Sequence, residues 1–468
     1  MSYQRNGLRS LFACLSLPLI AMVVAGCSGS HTSTATPTTP NTVTGNAFVI
    51  GTDAPAAGVV SFAVQVQSVN AIDSSGNSVS LVSGTPTVDF ARYNGLQTLL
   101  DLNAVPVGTY NSVQITLGTA TIGYLNTQAG SAPTIQTETA NLSTNTVNVT
   151  LTAPLVVSQS EPVGLRVDFD LYKSIQVDSS GQITGDVTPT FNLKAVTPAD
   201  SGGYIDEFDA AVVSVDASGQ SFVVQGPHGR QFTVQVNGQT EFDNGESISD
   251  LTTSSIVQIS GTIEAADSTI SADEVAILSQ DGFYAAGQVT YVTPPVGTAS
   301  SFDLYVRGLL PTTTGLSLGQ IATVDLSGNE KYFIYWMHNP LTKFLFNSAG
   351  LLPGQHVAIG GPASGATNAS AVTAKRVVLR NWGFNGTLVA GSVNTGTNTF
   401  QMNVNGFAGQ LVSNPITVYV SPVTGFRFGL TDMSDVSTAS KIRVVGLLIK
   451  DPLTGNPVLL ARYVDILE

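Results

Sequence analysis

Residues equipped for chemistry are sparse in this chain, and Cys27 heads them. Arg5 and Arg9 precede an apolar run from Leu11 to Val24, which closes on Val24-Ala25-Gly26-Cys27. A positive start, a short apolar core and small residues before a cleavage point make a secretory signal. The run is too short for a spanning helix, which takes roughly 20 apolar residues. Cys14 lies inside the segment to be removed, so the Cys27 thiol has no disulfide partner in the mature chain.

Two further sets of side chains carry chemical meaning. Asp168 and Asp170 share one face of a strand and with Asp53 could surround calcium, a hard cation served by oxygen ligands. The D-x-D-x-D-G loop is missing, and aspartates on strands ordinarily serve solubility, so no metal site and no cofactor are assigned. The second set is Tyr332-Phe333-Ile334-Tyr335-Trp336-Met337-His338, apolar on both faces of a strand. A strand covered on two sides accounts for it. The sharper expectation is an aromatic platform of Tyr332, Tyr335 and Trp336 for sugar rings or a partner protein.

Catalytic patterns are missing. The chain has no G-x-S-x-G elbow, no H-E-x-x-H and no phosphate-cradling glycine loop, and His228, His338 and His356 lack ligand spacing. A formal charge of −14 becomes −16 once Arg5 and Arg9 are removed, which repels phosphate backbones and argues against nucleic-acid binding.

The elements that must carry these residues are strands. With 43% hydrophobic and only 11% charged residues the chain is globular, and its length calls for several cores. Residues 27–44 are rich in Ser, Thr and Pro without apolar periodicity, the composition of an extended tether, and His31 within it is simply solvated. Residues 45–200 read as one β-sandwich: Val60, Phe62, Val64 and Val66 alternate with polar or small residues, as do Val113, Ile115 and Leu117. From 201 onward four signals recur in the same order. Phe222, Phe302 and Phe400 each open a strand; Thr240-Glu241-Phe242, Thr342-Lys343-Phe344 and Thr424-Gly425-Phe426 follow. Then come strands ending at Gly261, Gly361 and Gly446, and the triplets Ala272/Val275/Ile277, Ala374/Val377/Leu379 and Ala461/Val464/Ile466. The repeat predicts three small β modules at 201–281, 282–381 and 382–468, the middle one lengthened between Phe302 and Thr342.

Three resemblances extend this reading. Val24-Ala25-Gly26-Cys27 resembles the lipobox of bacterial lipoproteins, which implies cleavage before Cys27, a diacylglyceryl thioether on it and an acylated amino terminus. Ser28 in place of the retaining aspartate implies the outer membrane. The order Asp53-Ala54-Pro55, Leu99-Leu100-Asp101-Leu102, Pro106-Val107-Gly108-Thr109-Tyr110, Asp168-Phe169-Asp170 is similar to an uncharacterised domain at the start of bacterial lipoproteins, which implies a transthyretin-like sandwich. The repeats resemble a second uncharacterised domain, a small tandem β-barrel. The expectation is an all-β, lipid-anchored, non-enzymatic envelope protein: a string of modules for binding, adhesion or scaffolding, with the membrane and a glycan or envelope protein as partners. The alternative is an envelope enzyme or accessory subunit acting on polysaccharide through the middle insertion.

Overall fold

A computed structural model describes residues 43–467 apart from 55–57, 127–133, 199, 201–202, 227–228, 265–268, 312–314, 336–342 and 363–370. Cys27, the tether, Trp336, His228 and His338 therefore lie outside the described residues. The fold is all-β, with only short helices at strand ends. Among the described residues no helix is long and apolar enough to cross a membrane.

The amino-terminal module is a sandwich of two main sheets, with a small third sheet of Ile175–Val177, Ile183–Val187 and Asn141–Leu142 beside them. One main sheet runs Phe191–Val196, Val163–Asp170, Thr44–Ala54 and Thr98–Pro106; the other is built on the long strands Val59–Asp73 and Gly108–Asn126. Alternation decides which way each strand faces. Ala47 and Val49 join Leu165, Val167 and Phe169 in the core between the sheets, while Phe48 and Ile50 point to the other side. That second apolar face is the first sign that the sandwich does not stand alone.

Three sheets with one strand order follow. In the first, Ile205–Asp216, Ser221–Gln225, Gln231–Gln235, Thr269–Ser279 and Ile256–Ile263 pair in a ring, closed by the parallel pairing of Gln231–Gln235 with Thr269–Ser279. In the third, Trp382–Leu388, Thr399–Val404, Ile416–Tyr419, Pro457–Ile466 and Lys441–Lys450 close in the same way. The second differs only in that its closing strand is split into Ala371–Thr373 and Arg376–Arg380. Barrels this small are filled by their own side chains. Glycine marks the bend expected of it: ladder register shifts at Gly261 and Gly446, where a Cβ would sit 2.1 Å from Ser271 O and 2.0 Å from Leu460 O.

Two expectations are corrected. The residue equivalent to Phe242 and Phe426 in the second barrel is Tyr332 rather than Phe344. Phe242 pairs with Val275 and Phe426 with Val464, and their counterpart Val377 pairs with Tyr332. Phe344 instead packs against Tyr419 of the third barrel at 5.4 Å between ring centroids. Spacing alone misaligned the motif because the chain between the strands Lys331–Ile334 and His356–Pro362 is longer than its counterparts between Phe242 and Ile256 and between Arg427 and Lys441.

Nor do the modules form a string. Residues 42–468 make one compact unit whose apolar clusters cross every module boundary. Phe48, Ile50 and Leu99 of the sandwich share a cluster with Phe208, Val257 and Ile259 of the first barrel. Ile256, Ala276 and Leu278 of the first barrel pack against Tyr284, Ala286, Ala358 and Val378 of the second. Leu447, Ile449, Val458 and Leu460 of the third complete the second barrel's core. Burial at roughly 25 cal/mol per Å² makes such shared clusters the main attraction between modules.

Unfolding should therefore be one cooperative event. Thermal and urea transitions followed by far-UV circular dichroism and by tryptophan fluorescence are expected to coincide; separate melting of sandwich and barrels would contradict the shared cores.

Candidate functional site

Charged residues in the middle of apolar strands build the site. In Ile205–Asp216, Phe208, Ala210 and Val212 fill the first barrel, so Glu207 and Asp209 project from its outer wall. A register shift between Ile205 and Phe208 lets the consecutive Asp206 and Glu207 both be buried. In Arg376–Arg380 the same alternation sends Val377 and Leu379 inward and Arg380 outward, and Tyr284 leaves the second barrel beside Ala286. The sandwich contributes Arg92 from its short helix Phe90–Tyr93.

These five side chains meet where the sandwich, the first barrel and the second barrel converge. Arg380 Nη2 donates to Asp209 Oδ1 at 3.0 Å and lies 3.2 Å from Glu207 Oε2. Arg92 Nη2 donates to Asp209 and approaches Glu207 Oε2 at 3.5 Å, and the Tyr284 hydroxyl donates to Asp209. Arg307 continues the network: its Nε donates to Asp89 Oδ2 at 2.8 Å, its Nη1 to Gln288 Oε1 at 3.2 Å, and its guanidinium lies 4.5 Å from the Trp382 ring of the third barrel. Arg380 is 0% exposed.

Above this floor opens a cavity of about 860 Å³, within the size range of ligand sites. Arg92, Asp209, Tyr284, Asp89 and Arg307 line its base. Leu99, Phe208, Leu309 and Leu316 supply apolar wall, and Arg230, paired with Asp101 at 3.3 Å, stands nearer the mouth. Two donors of the floor, Arg92 Nε and Arg307 Nη2, have no acceptor among the described residues.

Electrostatics follow from burial against pairing. Burial alone would push the Asp209 carboxyl up, but Arg380 and then Arg92 hold it below the usual carboxylate range. Burial drives His356 well below its ordinary value, and the nearby Arg380 and Arg92 push the same way, so the imidazole stays neutral. Its Nδ1 faces the Asn381 carbonyl at 3.1 Å. Asp206 accepts from the Gln97 N–H at 3.0 Å; burial, only partly offset by Arg427 and Arg462, pushes it up to about 6.

The residues singled out from sequence fall elsewhere. Tyr335 is 0% exposed, bonded to Ser260 Oγ between the first two barrels, and so is withdrawn from any surface platform. Tyr332 is half-buried against Phe346, and Phe333 lies under the Arg376 guanidinium at 3.6 Å. The described part of the aromatic strand is thus covered on both sides. Asp53 pairs in register with Phe169 rather than with either aspartate of that strand. Its carboxyl is held well above the usual range by burial and then by Asp168. Asp170 caps the helix Leu171–Ser174 through the Lys173 N–H at 3.0 Å and pairs with Lys173 Nζ at 2.7 Å. Asp53 and Asp168 thus lie near enough to interact while Asp170 is taken up by Lys173, and among the described residues no group of three or more His, Cys, Asp or Glu could hold a metal ion.

Arg92, Glu207, Asp209, Arg307 and Arg380 escaped the sequence reading. Their signal was there: in a chain with so few charges, charged residues inside otherwise apolar strands mark buried pairs.

Fold and site together define an all-β protein with one sandwich and fused five-stranded barrels around a charge-lined internal cleft. A family model described as a domain of unknown function (DUF4382) matches residues 44–184, which is most of the sandwich and none of the barrels. No curated protein matches the chain.

Two outcomes test the network. Arg380→Met strips Asp209 and Glu207 of a buried partner and should cost about 3–5 kcal/mol in urea unfolding. Because the stranded carboxyl then titrates higher, the deficit should shrink as pH falls; a deficit independent of pH would contradict the pairing. Asp206→Asn keeps an acceptor for the Gln97 N–H and removes the titration. A carboxyl raised in the folded state gives stability that is lost as pH climbs from about 4 to about 6, a difference of about 3 kcal/mol. The variant should match the parent near pH 4 and exceed it at pH 8 by that order; equal stability at pH 8 would refute the assignment.

Proposed function

We propose that this is an exported, non-enzymatic protein, lipid-anchored through Cys27 to the outer membrane, whose sandwich and three copies of one barrel module form a rigid body for binding at the cell envelope. The observation that carries the binding half is the state of the acids around the cleft. Asp209 is held by Arg380 and Arg92, Asp89 by Arg307 and Asp101 by Arg230. General acid or base work needs a carboxyl tuned near the working pH and able to move a proton. Asp209 is held the other way, low and locked, and its pairing suits recognition rather than turnover.

Support for the anchor comes from the sequence of the first 27 residues. Acyl chains each contribute about 0.8 kcal/mol per buried methylene, and more than one is needed for stable attachment, which the thioether and amide chains of a lipoprotein supply together. A body of fused modules on a polar tether is then held near a bilayer without itself entering it.

Cys27→Ser should release the protein from the membrane fraction or leave it as unprocessed precursor, and globomycin should cause the parent chain to accumulate as precursor. Soluble mature protein carrying a free Cys27 thiol by mass spectrometry would overturn the anchor.

A further inference from the structure

We propose that the cleft between the sandwich and the first two barrels binds a segment of neutral oligosaccharide, with Arg92 donating from the floor beside Asp209 and Asp89, and Leu99, Leu309 and Leu316 meeting the apolar faces of the rings. The assignment rests on the binding reading above and names the ligand class of that same site.

Charge balance selects the class. The guanidiniums of Arg92, Arg307 and Arg230 line the cavity together with the carboxylates of Asp209, Asp89 and Asp101, each pair already in contact. An anion entering the cleft meets three carboxylates as well as three guanidiniums, inside a chain whose formal charge is −14. A cation meets the converse. Neither gains net attraction, and both lose hydration on entry. A wholly apolar ligand fares no better, because it strips the remaining water contact from the cavity-lining Arg92, Asp209 and Asp89, whose side chains keep 8, 6 and 5% of their surface, and offers them no partner.

A sugar hydroxyl resolves this conflict. It accepts from a guanidinium N–H and donates its own proton to the neighbouring carboxylate, so one group serves both members of an ion pair without disturbing either. Arg92, Asp209 and Asp89, which line the cavity and are not fully enclosed, present the donor and the acceptors that such hydroxyls require. The axial hydrogens of a pyranose make an apolar face, and the leucines provide the surface to cover it. Ser83, Thr85, Thr87 and Ser317 are exposed, hydroxylated cavity-lining residues, and Leu318 and Arg230 stand partly exposed among them.

The test uses full-length protein in a detergent without a sugar headgroup, titrated with cellohexaose, maltohexaose and chitohexaose, and with hexagalacturonate as the charged probe. At least one neutral chain should bind saturably by calorimetry and raise the melting temperature, and hexagalacturonate should bind at least tenfold more weakly. Thr85→Trp and Ser317→Trp narrow the mouth without touching the ion pairs. Each should weaken binding at least tenfold with the ligand-free melting temperature unchanged, whereas Leu345→Trp, at an exposed residue that does not line the cavity, should leave binding intact. The proposal fails if no neutral probe binds, if hexagalacturonate binds as tightly, or if binding survives both mouth substitutions. Those failures leave membrane retention by Cys27 untouched, so loss of the saccharide and loss of the anchor are read separately.

Discussion

Burying a guanidinium is costly unless its charge is met, and at the centre of this protein that cost falls on Arg380. Its side chain is fully enclosed and is answered by Asp209 and Glu207 on a different barrel, with Arg92 of the sandwich completing the balance. No module can satisfy its own share. The ion pairs add little net stability over an apolar replacement, because desolvation offsets their attraction. What they contribute is direction: a hydrophobic interface tolerates sliding, whereas a guanidinium fork accepts a carboxylate in few orientations. The shape of the cleft follows from that demand, since its floor is the network seen from above.

Strand alternation makes the arrangement affordable. A residue pointing out of a barrel is ordinarily solvated and polar, yet here Tyr284, Ala286, Ala358 and Val378 point out of the second barrel and are buried against the first. Each barrel is thus apolar on both faces where it meets a neighbour, in the manner of strands covered on two sides. Similar pairs fasten the remaining contacts. Arg462 of the third barrel meets Glu274 of the first at 3.0 Å, Arg376 meets Glu246 at 2.8 Å, and Arg427 and Arg443 share Asp465 while donating to Gly95 O and Asn94 Oδ1 of the sandwich.

Much of the fold was legible because period-two patterning reports which residues leave water. Val60 through Val66, Val113 through Leu117 and the paired Val-Ile runs of the barrels all became the strands their alternation implied. The repeat was legible for a similar reason: Gly261 and Gly446 stand where backbones approach too closely for a side chain. The site was not legible. Asp209 and Arg380 are 171 positions apart, and nothing local to either reveals the other. The aromatic run at 332–335 drew notice because exposed and doubly covered strands share one composition. Only the position of the neighbouring barrel, which Ser260 reveals through its bond to Tyr335, separates the two.

The contact between Asn94 and Arg443 spans 349 positions. Synthesis from the amino terminus therefore delivers the sandwich long before the strand that covers its underside, and loop closure over such a distance is slow compared with local pairing. Until Lys441–Lys450 arrives, Asn94 Oδ1 awaits the Arg443 guanidinium and the second barrel lacks Leu447 and Ile449 from its core. A chain cut short ahead of that strand forfeits more than its last module: it leaves every earlier one with an uncovered flank. Maturation of the molecule is accordingly gated by its carboxyl-terminal end.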